Sequence, residues 1–363
     1  MRVIISGGGT GGHVFPAIAI ADALKKIDPQ ISILFVGARG KLEMEKVPKA
    51  GYPIKGIRIS GFQRKISWKN FVNIFHLFGS LWVSLRILKK FKPDVVIGVG
   101  GYASGPTLEM AYHMRIPLLV QEQNSHAGLT NRFLAKKASV ICVAYPNMNR
   151  FFPEEKLKLT GNPVREDLMD LSGFKKEGLV HFGLHADKKT ILVFGGSLGA
   201  SSLNIAMRFN AAEIAKLNDV QVLWQVGKLY YEEYKNCETA QLPNVVIRPF
   251  LDRMELAYAL ADVIICRAGA GTISELCLVG KPAVLVPSPN VAEDHQTENA
   301  KALVSEGAAI LVKDSEATTE MLPKAIHILR NETLSQQLRL SIKKLAKPNA
   351  AEAIAAEVFQ LAK

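Results

Sequence analysis

The sequence predicts an α/β protein built from two Rossmann-like domains facing each other across a cleft. Three observations carry this prediction. The chain opens on a short β-branched run, RVIIS, followed by the glycine loop GGGTGGH and a helical pattern, so strand, loop and helix succeed one another by Leu24. The same order returns far downstream in TILVFGGSLGASSLNIAMRF, with Thr190–Phe194 as the strand and Ser201 opening the helix. Two further segments, DVVIGVGGYASGPTLEMAYHMRIPLLV from Asp94 and DVIICRAGAGTISELCLVGKPAVLV from Asp262, each read as strand, glycine loop, helix and a proline-entered strand. Short buried strands alternating with helices need crossover connections, and hence parallel sheets.

Taken in order, the elements divide the 363 residues into two domains, consistent with about 150 residues per domain. The first domain spans 1–162. The linker falls within LTGNPVRED, where Gly161, Asn162 and Pro163 interrupt both strand and helix patterns. The second domain spans 163–348 and ends at the break Lys347-Pro348-Asn349. The last helix, within 349–363, is expected to pack back on the first domain.

In open parallel sheets ligands bind beyond the carboxyl ends of the strands, where glycine lets the backbone approach and helix N-termini present unpaired N–H groups. A phosphate is the natural guest. Gly7, Gly9 and Gly12 match GxGxxG, but a dinucleotide site also needs an acid closing the second strand. That strand, in ILFVGARGKLE, ends on Gly37, Ala38 and Arg39; the arginine suits a 2′-phosphate, which keeps an NADP-dependent oxidoreductase open. In the second half GAGTISE makes a tight turn. Thr272 is expected to cap the following helix and Glu275 to fall in its first turn, where a carboxylate can accept from a ribose diol. Beyond the next strand, Gln296 and Asn299 in SPNVAEDHQTENA are polar candidates for the same site.

Net charge is +12, which points to an anionic partner. Nucleic acid is set aside, because no aromatic RNA-binding sheet, zinc finger or basic recognition helix is present. The remaining anionic partners are a phosphorylated substrate and an acidic membrane surface. No run of about 18 apolar residues occurs, so no membrane span is expected. The four cysteines (Cys142, Cys237, Cys266, Cys277) form no CxxC pair and are read as reduced thiols in the cytoplasm, and the N-terminus lacks the pattern of an export signal. His181 and His185 are spaced for one helical face, yet Gly183 lies between them and no third zinc ligand is near. No DxD triplet occurs. Neither a metal nor a cofactor is expected.

The stretch RKISWKNFVNIFHLFGSLWVSLRILKKFKPD carries Phe71, Ile74, Phe75, Phe78, Trp82, Leu85 and Leu88 near one helical stripe. Arg64, Lys65, Lys69, Arg86, Lys89, Lys90 and Lys92 flank it. Such a stripe reads first as core, with its ends facing a membrane as the functional alternative.

Together GGGTGGHVFPAIAIA, GVGGYASGP, QEQNSHAG, GNPVR, GGSLGA and RAGAGTISEL strongly resemble the MurG family, in family order from residue 7 to about 300. These are glycosyltransferases of peptidoglycan synthesis with the two-domain GT-B fold. The resemblance implies inverting transfer of N-acetylglucosamine from UDP-N-acetylglucosamine to lipid I, giving lipid II. It places the protein peripherally on the cytoplasmic face of the cell membrane, within reach of a cell-wall enzyme complex. Carried over, Thr10, Gly11, Gly12, Asn124, Arg165, Ser197, Leu251, the run Ala270, Gly271, Thr272, Ile273, Ser274, Glu275, and Gln296 form the UDP-sugar site. His13, Tyr102 and Asn124 line the acceptor side. His13 is the residue assigned as base, with Glu109 and Glu122 as other acids in the same domain. Arg165, Ser197 and the amides of Gly196–Gly199 are set to neutralise a leaving diphosphate. A UDP-sugar 2-epimerase on the same fold and a non-catalytic scaffold complete the alternatives.

Overall fold

The computed structural model describes residues 1–59, 68–165, 168–196 and 198–363, and the side chains of 68–76 and 292 are outside the description. The chain forms two compact units, 1–164 with 349–363 and 165–348. Their boundary falls at Val164/Arg165, two residues beyond the expected one.

Unit 1 runs β1 (Arg2–Ser6), α1 (Gly11–Ile27), β2 (Ser32–Ala38), α2 (Glu43–Lys49), β3 (Ile54–Ile57), α3 (Trp68–Phe91), β4 (Val95–Gly98), α4 (Ser104–His113), β5 (Leu118–Glu122), α5 (Leu129–Leu134), β6 (Val140–Val143) and β7 (Leu157–Leu159). Its seven strands lie in the order β3-β2-β1-β4-β5-β6-β7, all parallel. Because parallel strands are covered on both faces, β1 and β4 read as nearly unbroken Val and Ile and are fully buried from Val3 and Val95 onward.

Unit 2 runs α6 (Phe174–Phe182), β8 (Lys189–Phe194), α7 (Ser201–Phe209), α8 (Ala211–Ala215), β9 (Val220–Gln225), α9 (Tyr231–Tyr234), β10 (Val245–Arg248), α10 (Met254–Leu260), β11 (Val263–Cys266), α11 (Ala270–Val279), β12 (Ala283–Leu285), α12 (His295–Val304), β13 (Ile310–Leu311), α13 (Ala317–Arg330) and α14 (Glu332–Lys344). The strand order β10-β9-β8-β11-β12-β13 repeats the winding of unit 1, again all parallel. After this unit closes, α15 (Ala350–Leu361) buries Ile354, Ala355 and Val358 in the unit 1 core, against the face of α1 that carries Ala17, Ile20 and Leu24.

In each unit the strand order reverses once, between β1 and β4 and between β8 and β11. That reversal opens a crevice at the carboxyl ends of the strands. The four glycine loops of the sequence follow these four strands, so each pair flanks one switch point.

Helix α3 corrects the expected core stripe. Among its described side chains Leu88 of the stripe is buried, together with Ser80 and Ser84, whereas Phe78 and Trp82 are 65% and 53% exposed. The cause is its close packing on α4, where small residues let the helices approach, with the Ser80 hydroxyl donating to the Arg58 carbonyl at 2.7 Å. Arg64, Lys65, Lys69, Phe71, Ile74 and Phe75 of that stretch lie outside the described residues or side chains.

Candidate functional site

Loops after three adjacent strands build the candidate site of unit 1. After β1, Thr10 is the N-cap of α1 in extended conformation, so Gly11 and Gly12 fall in the first turn and His13 follows them. The His13 ring is fixed by a contact between its Nδ1 and the Thr10 hydroxyl at 3.2 Å. Its other edge lies where a side chain on Gly100 would stand, 3.0 Å from that missing Cβ. Loop β4–α4 therefore shapes the place of His13. A Cβ on Gly101, at φ +81°, would come 2.3 Å from the Gly8 carbonyl oxygen, so the two loops interlock only through glycine. Tyr102 projects from this second loop, 58% exposed.

After β5, Glu122 organises QEQNSHAG. It is buried and accepts from the Asn124 and Gly128 N–H groups, both at 3.0 Å, and from the side-chain amides of Asn131 and Asn124 at 2.8 and 3.3 Å. Burial pushes its carboxyl above the ordinary range, against the pull of these donors. Two of these bonds hold Asn124 in place. Glu109, the other acid considered, is tied to Lys137 at 2.5 Å and to His113 at 3.1 Å. The first pairing ties α4 to the turn after α5 and the second lies within α4 itself.

In unit 2 the β11–α11 turn differs from its expected form. Gly269 is the N-cap, so Thr272 is the third residue of the helix and Glu275 the sixth, one turn further in than the sequence suggests. Glycine's extended backbone replaces a side-chain cap there. Ala270 and Ile273 are buried, as is Leu251 after β10, so these three can offer a ligand only their backbone. The Ser274 hydroxyl donates to the Ala270 carbonyl at 3.0 Å. Glu275 is held on one side by Tyr258, whose hydroxyl donates to Oε2 at 2.8 Å, and on the other by Arg165, whose Nε lies 3.9 Å from Oε1. Two residues 110 positions apart in the sequence are thereby brought together.

After β12, Gln296 accepts the Ser288 N–H at 2.8 Å. Asn299 is fully buried and donates to the Ala268 carbonyl at 3.3 Å, so it braces the β11 loop from behind and does not line the site. Just before α12, Glu293 and Asp294 adopt left-handed φ of 54° and 50°. Such strain in non-glycine residues costs on the order of 1 kcal/mol each and clusters at functional sites. In the β8–α7 loop, a Cβ on Gly199, at φ +81°, would meet the Val226 carbonyl oxygen at 2.1 Å. Ser197 of this loop lies outside the described residues.

Comparison with known proteins decides the family. Residues 3–143 match the glycosyltransferase family 28 N-terminal domain and 190–355 its C-terminal domain. A UDP-N-acetylglucosamine–N-acetylmuramyl-(pentapeptide) pyrophosphoryl-undecaprenol N-acetylglucosamine transferase of Bacteroides fragilis is 51% identical over 364 aligned residues, covering 100% of this chain and 96% of the relative. The crystal structure of Acinetobacter baumannii MurG superposes with a TM-score of 0.78 at 32% identity, covering 99% of each chain. The chain belongs to the MurG family.

A UDP-GlcNAc 2-epimerase from Neisseria meningitidis, solved with UDP-GlcNAc, shares the fold at TM-score 0.68 but only 14% identity over 99% of this chain and all of its own. MurG-family membership, at half identity over the full length, therefore displaces the epimerase reading and assigns the chain to the glycosyltransferases with the GT-B fold. The oxidoreductase reading is displaced as well, by a residue the sequence reading passed over. Glu43 is buried and packs on the first glycine loop, its carboxylate within 2.6 Å of where a Gly8 Cβ would stand. The Glu43 carboxyl group thus fills the space beside Gly8 that a pyrophosphate would need. Arg39, proposed for a 2′-phosphate, instead donates to the Gly56 carbonyl at 3.0 Å. Three of the four cysteines are buried, which pushes the Cys142 and Cys277 thiols up to about 12 and raises Cys266 further, the environment of an unreactive thiol.

Proposed function

We propose that this chain transfers N-acetylglucosamine from UDP-N-acetylglucosamine to the muramoyl sugar of lipid I, forming the β-1,4 linkage of lipid II in peptidoglycan synthesis. The observation that carries this is full-length relatedness to a transferase so named, over a chain whose acid and arginine, Glu275 and Arg165, meet beside a glycine-turned helix start.

In unit 2 Glu275 accepts from the ribose diol of the donor, Gln296 and the run 270–275 enclose the nucleotide, and Arg165 with Ser197 and the 196–199 amides takes the charge of the leaving diphosphate. In unit 1 His13 serves the acceptor. Its imidazole removes the proton of the attacking hydroxyl as that oxygen bonds to the anomeric carbon and the C–O bond to UDP breaks, which inverts the configuration. The Thr10 contact sets the ring plane for this transfer. Tyr102 and Asn124 orient the acceptor, Asn124 being fixed by Glu122.

The acceptor is a lipid, and unit 1 presents a surface suited to one. Phe78 and Trp82 project from α3, with the Arg86 guanidinium stacked 3.4 Å over the Trp82 ring. Phe133 of α5 is 63% exposed and carries the Lys137 ammonium 4.4 Å over its ring. Aromatics beside cations fit the headgroup layer of an anionic leaflet. No helix among the described residues is long and apolar enough to cross a membrane. We therefore read the association as peripheral and on the cytoplasmic leaflet, where a nucleotide sugar is available.

Purified protein mixed with UDP-N-acetylglucosamine and a lipid I analogue is expected to release UDP, in EDTA as in magnesium, and to release none from the donor alone. Absence of turnover in every buffer would refute the reading.

A further inference from the structure

Glu275 is one side chain on which two others converge, and the more deeply placed of them has no role in the reaction as described so far. Tyr258 lies on α10, 17 residues before Glu275, with none of its surface exposed. Its ring packs edge-on against Phe194, the last residue of β8, with centroids 6.1 Å apart at 77°. Its hydroxyl is the buried donor to Glu275 Oε2. Burial and the neighbouring carboxylate raise the Tyr258 phenol well above its ordinary value, so it remains a donor at any pH the enzyme meets. Arg165, by contrast, has a side chain that is 42% exposed and comes no nearer to Oε1 than 3.9 Å.

The final torsion of a glutamate side chain is broad and soft, so the partly exposed Glu275 carboxylate, in the second turn of α11, has no fixed orientation of its own. A buried hydrogen bond to one oxygen removes that freedom. We propose that Tyr258 is a positioning residue for the sugar nucleotide: by holding Oε2 inward it turns Oε1 outward to accept from the ribose hydroxyls. The ring contact with Phe194 ties this orientation to the end of β8, the strand that leads into the GGSLGA loop. The inference rests on the reading of Glu275 as the ribose ligand.

The test is Tyr258→Phe, which keeps the ring contact and removes only the hydroxyl. UDP and 2′,3′-dideoxy-UDP are titrated calorimetrically into wild type, Y258F, E275A and the double variant. UDP affinity is expected to fall about 5- to 10-fold in Y258F, the effect of one hydrogen bond. The KM for UDP-N-acetylglucosamine should rise in parallel while kcat stays within about 2-fold. Affinity for the dideoxy nucleotide should not change, and adding Y258F to E275A should cost nothing further. Independently of any variant's folding, 3-fluorotyrosine placed at position 258 should show a ¹⁹F shift on binding UDP and none on binding the dideoxy nucleotide.

Wild-type UDP affinity in E275A would overturn the ribose assignment and this inference with it. A weakened E275A beside a Y258F that binds UDP normally would overturn the role of Tyr258 alone. Equal losses for both nucleotides in Y258F would also overturn it, since they would mark a merely structural residue.

Discussion

Glu43 and Gly9 close the first glycine loop from the side: the Gly9 N–H donates to Glu43 Oε2 at 2.8 Å, while Oε1 accepts the Ala38 N–H at 2.8 Å. The loop is thereby tied to the end of β2. Glu43→Gln replaces one acceptor with an amide group that faces an N–H donor. It should lower the stability of unit 1 by roughly 1–3 kcal/mol, read by thermal unfolding. Because the same carboxylate crowds Gly8, fluorescence titration with NADPH should show no binding to the wild-type protein.

Glu122 makes a second prediction. Its oxygens accept two backbone N–H groups and two side-chain amides in a buried loop, so Glu122→Gln turns an acceptor into a donor among donors. A loss of about 2 kcal/mol or more in denaturant unfolding is expected, together with a fall in kcat as Asn124 loses its anchor. An unchanged midpoint with unchanged turnover would contradict the anchoring role.

Lys281 makes a third, with a defined sign. It lines a cavity of about 350 Å³ beside Leu278, Val279 and Lys343. Burial, helped by Arg339 and Lys175 and opposed by Asp262, brings its ammonium down from 10.5 to about 8. A lysine with a lowered folded value contributes most favourably above 10.5, and that contribution is lost as pH falls through 8. Lys281→Met should therefore stabilise unit 2 at pH 7 by roughly 1 kcal/mol. The gain should shrink as the pH approaches 10.5, which melting curves at both ends of this range will show.

For the proposed membrane surface, Trp82→Glu and Phe78→Asp place charge where apolar rings are exposed. Sedimentation with vesicles rich in anionic lipid should drop several-fold, with little effect on UDP binding. Because Phe78 and Trp82 are exposed while Ser80, Ser84 and Leu88 are buried, the fold should survive these changes.

Some of this was legible in the sequence and some was not. The glycine loops could be read because a strand that turns at once into a helix leaves no room for side chains, as Gly101 and Gly199 show by contacts that a Cβ would violate. The strands could be read because parallel sheets bury both faces and so need unbroken Val and Ile. The helix α3 could not: an apolar count points the stripe inward, yet packing through Ser80 and Ser84 turns Phe78 and Trp82 outward. Nor could the residues that brace the site. Glu43 reads as an ordinary helix-start acid and Tyr258 as an ordinary apolar helix residue, because each acts through a partner that only tertiary structure supplies. The left-handed Glu293 and Asp294 carry no compositional signal, since glycine would have been the residue to suggest that backbone. Thr272 and Glu275 lie one turn further into α11 than the sequence pattern suggests, because glycine, and not a hydroxyl, caps the helix.

The central claim is that the donor sugar passes to a lipid-linked acceptor with inversion. Mass spectrometry and proton NMR of the product from UDP-N-acetylglucosamine and a lipid I analogue test this most directly. The predicted product is the acceptor enlarged by one N-acetylhexosamine in β linkage. An α-linked product, or an isomerised UDP-sugar formed without acceptor, would contradict it.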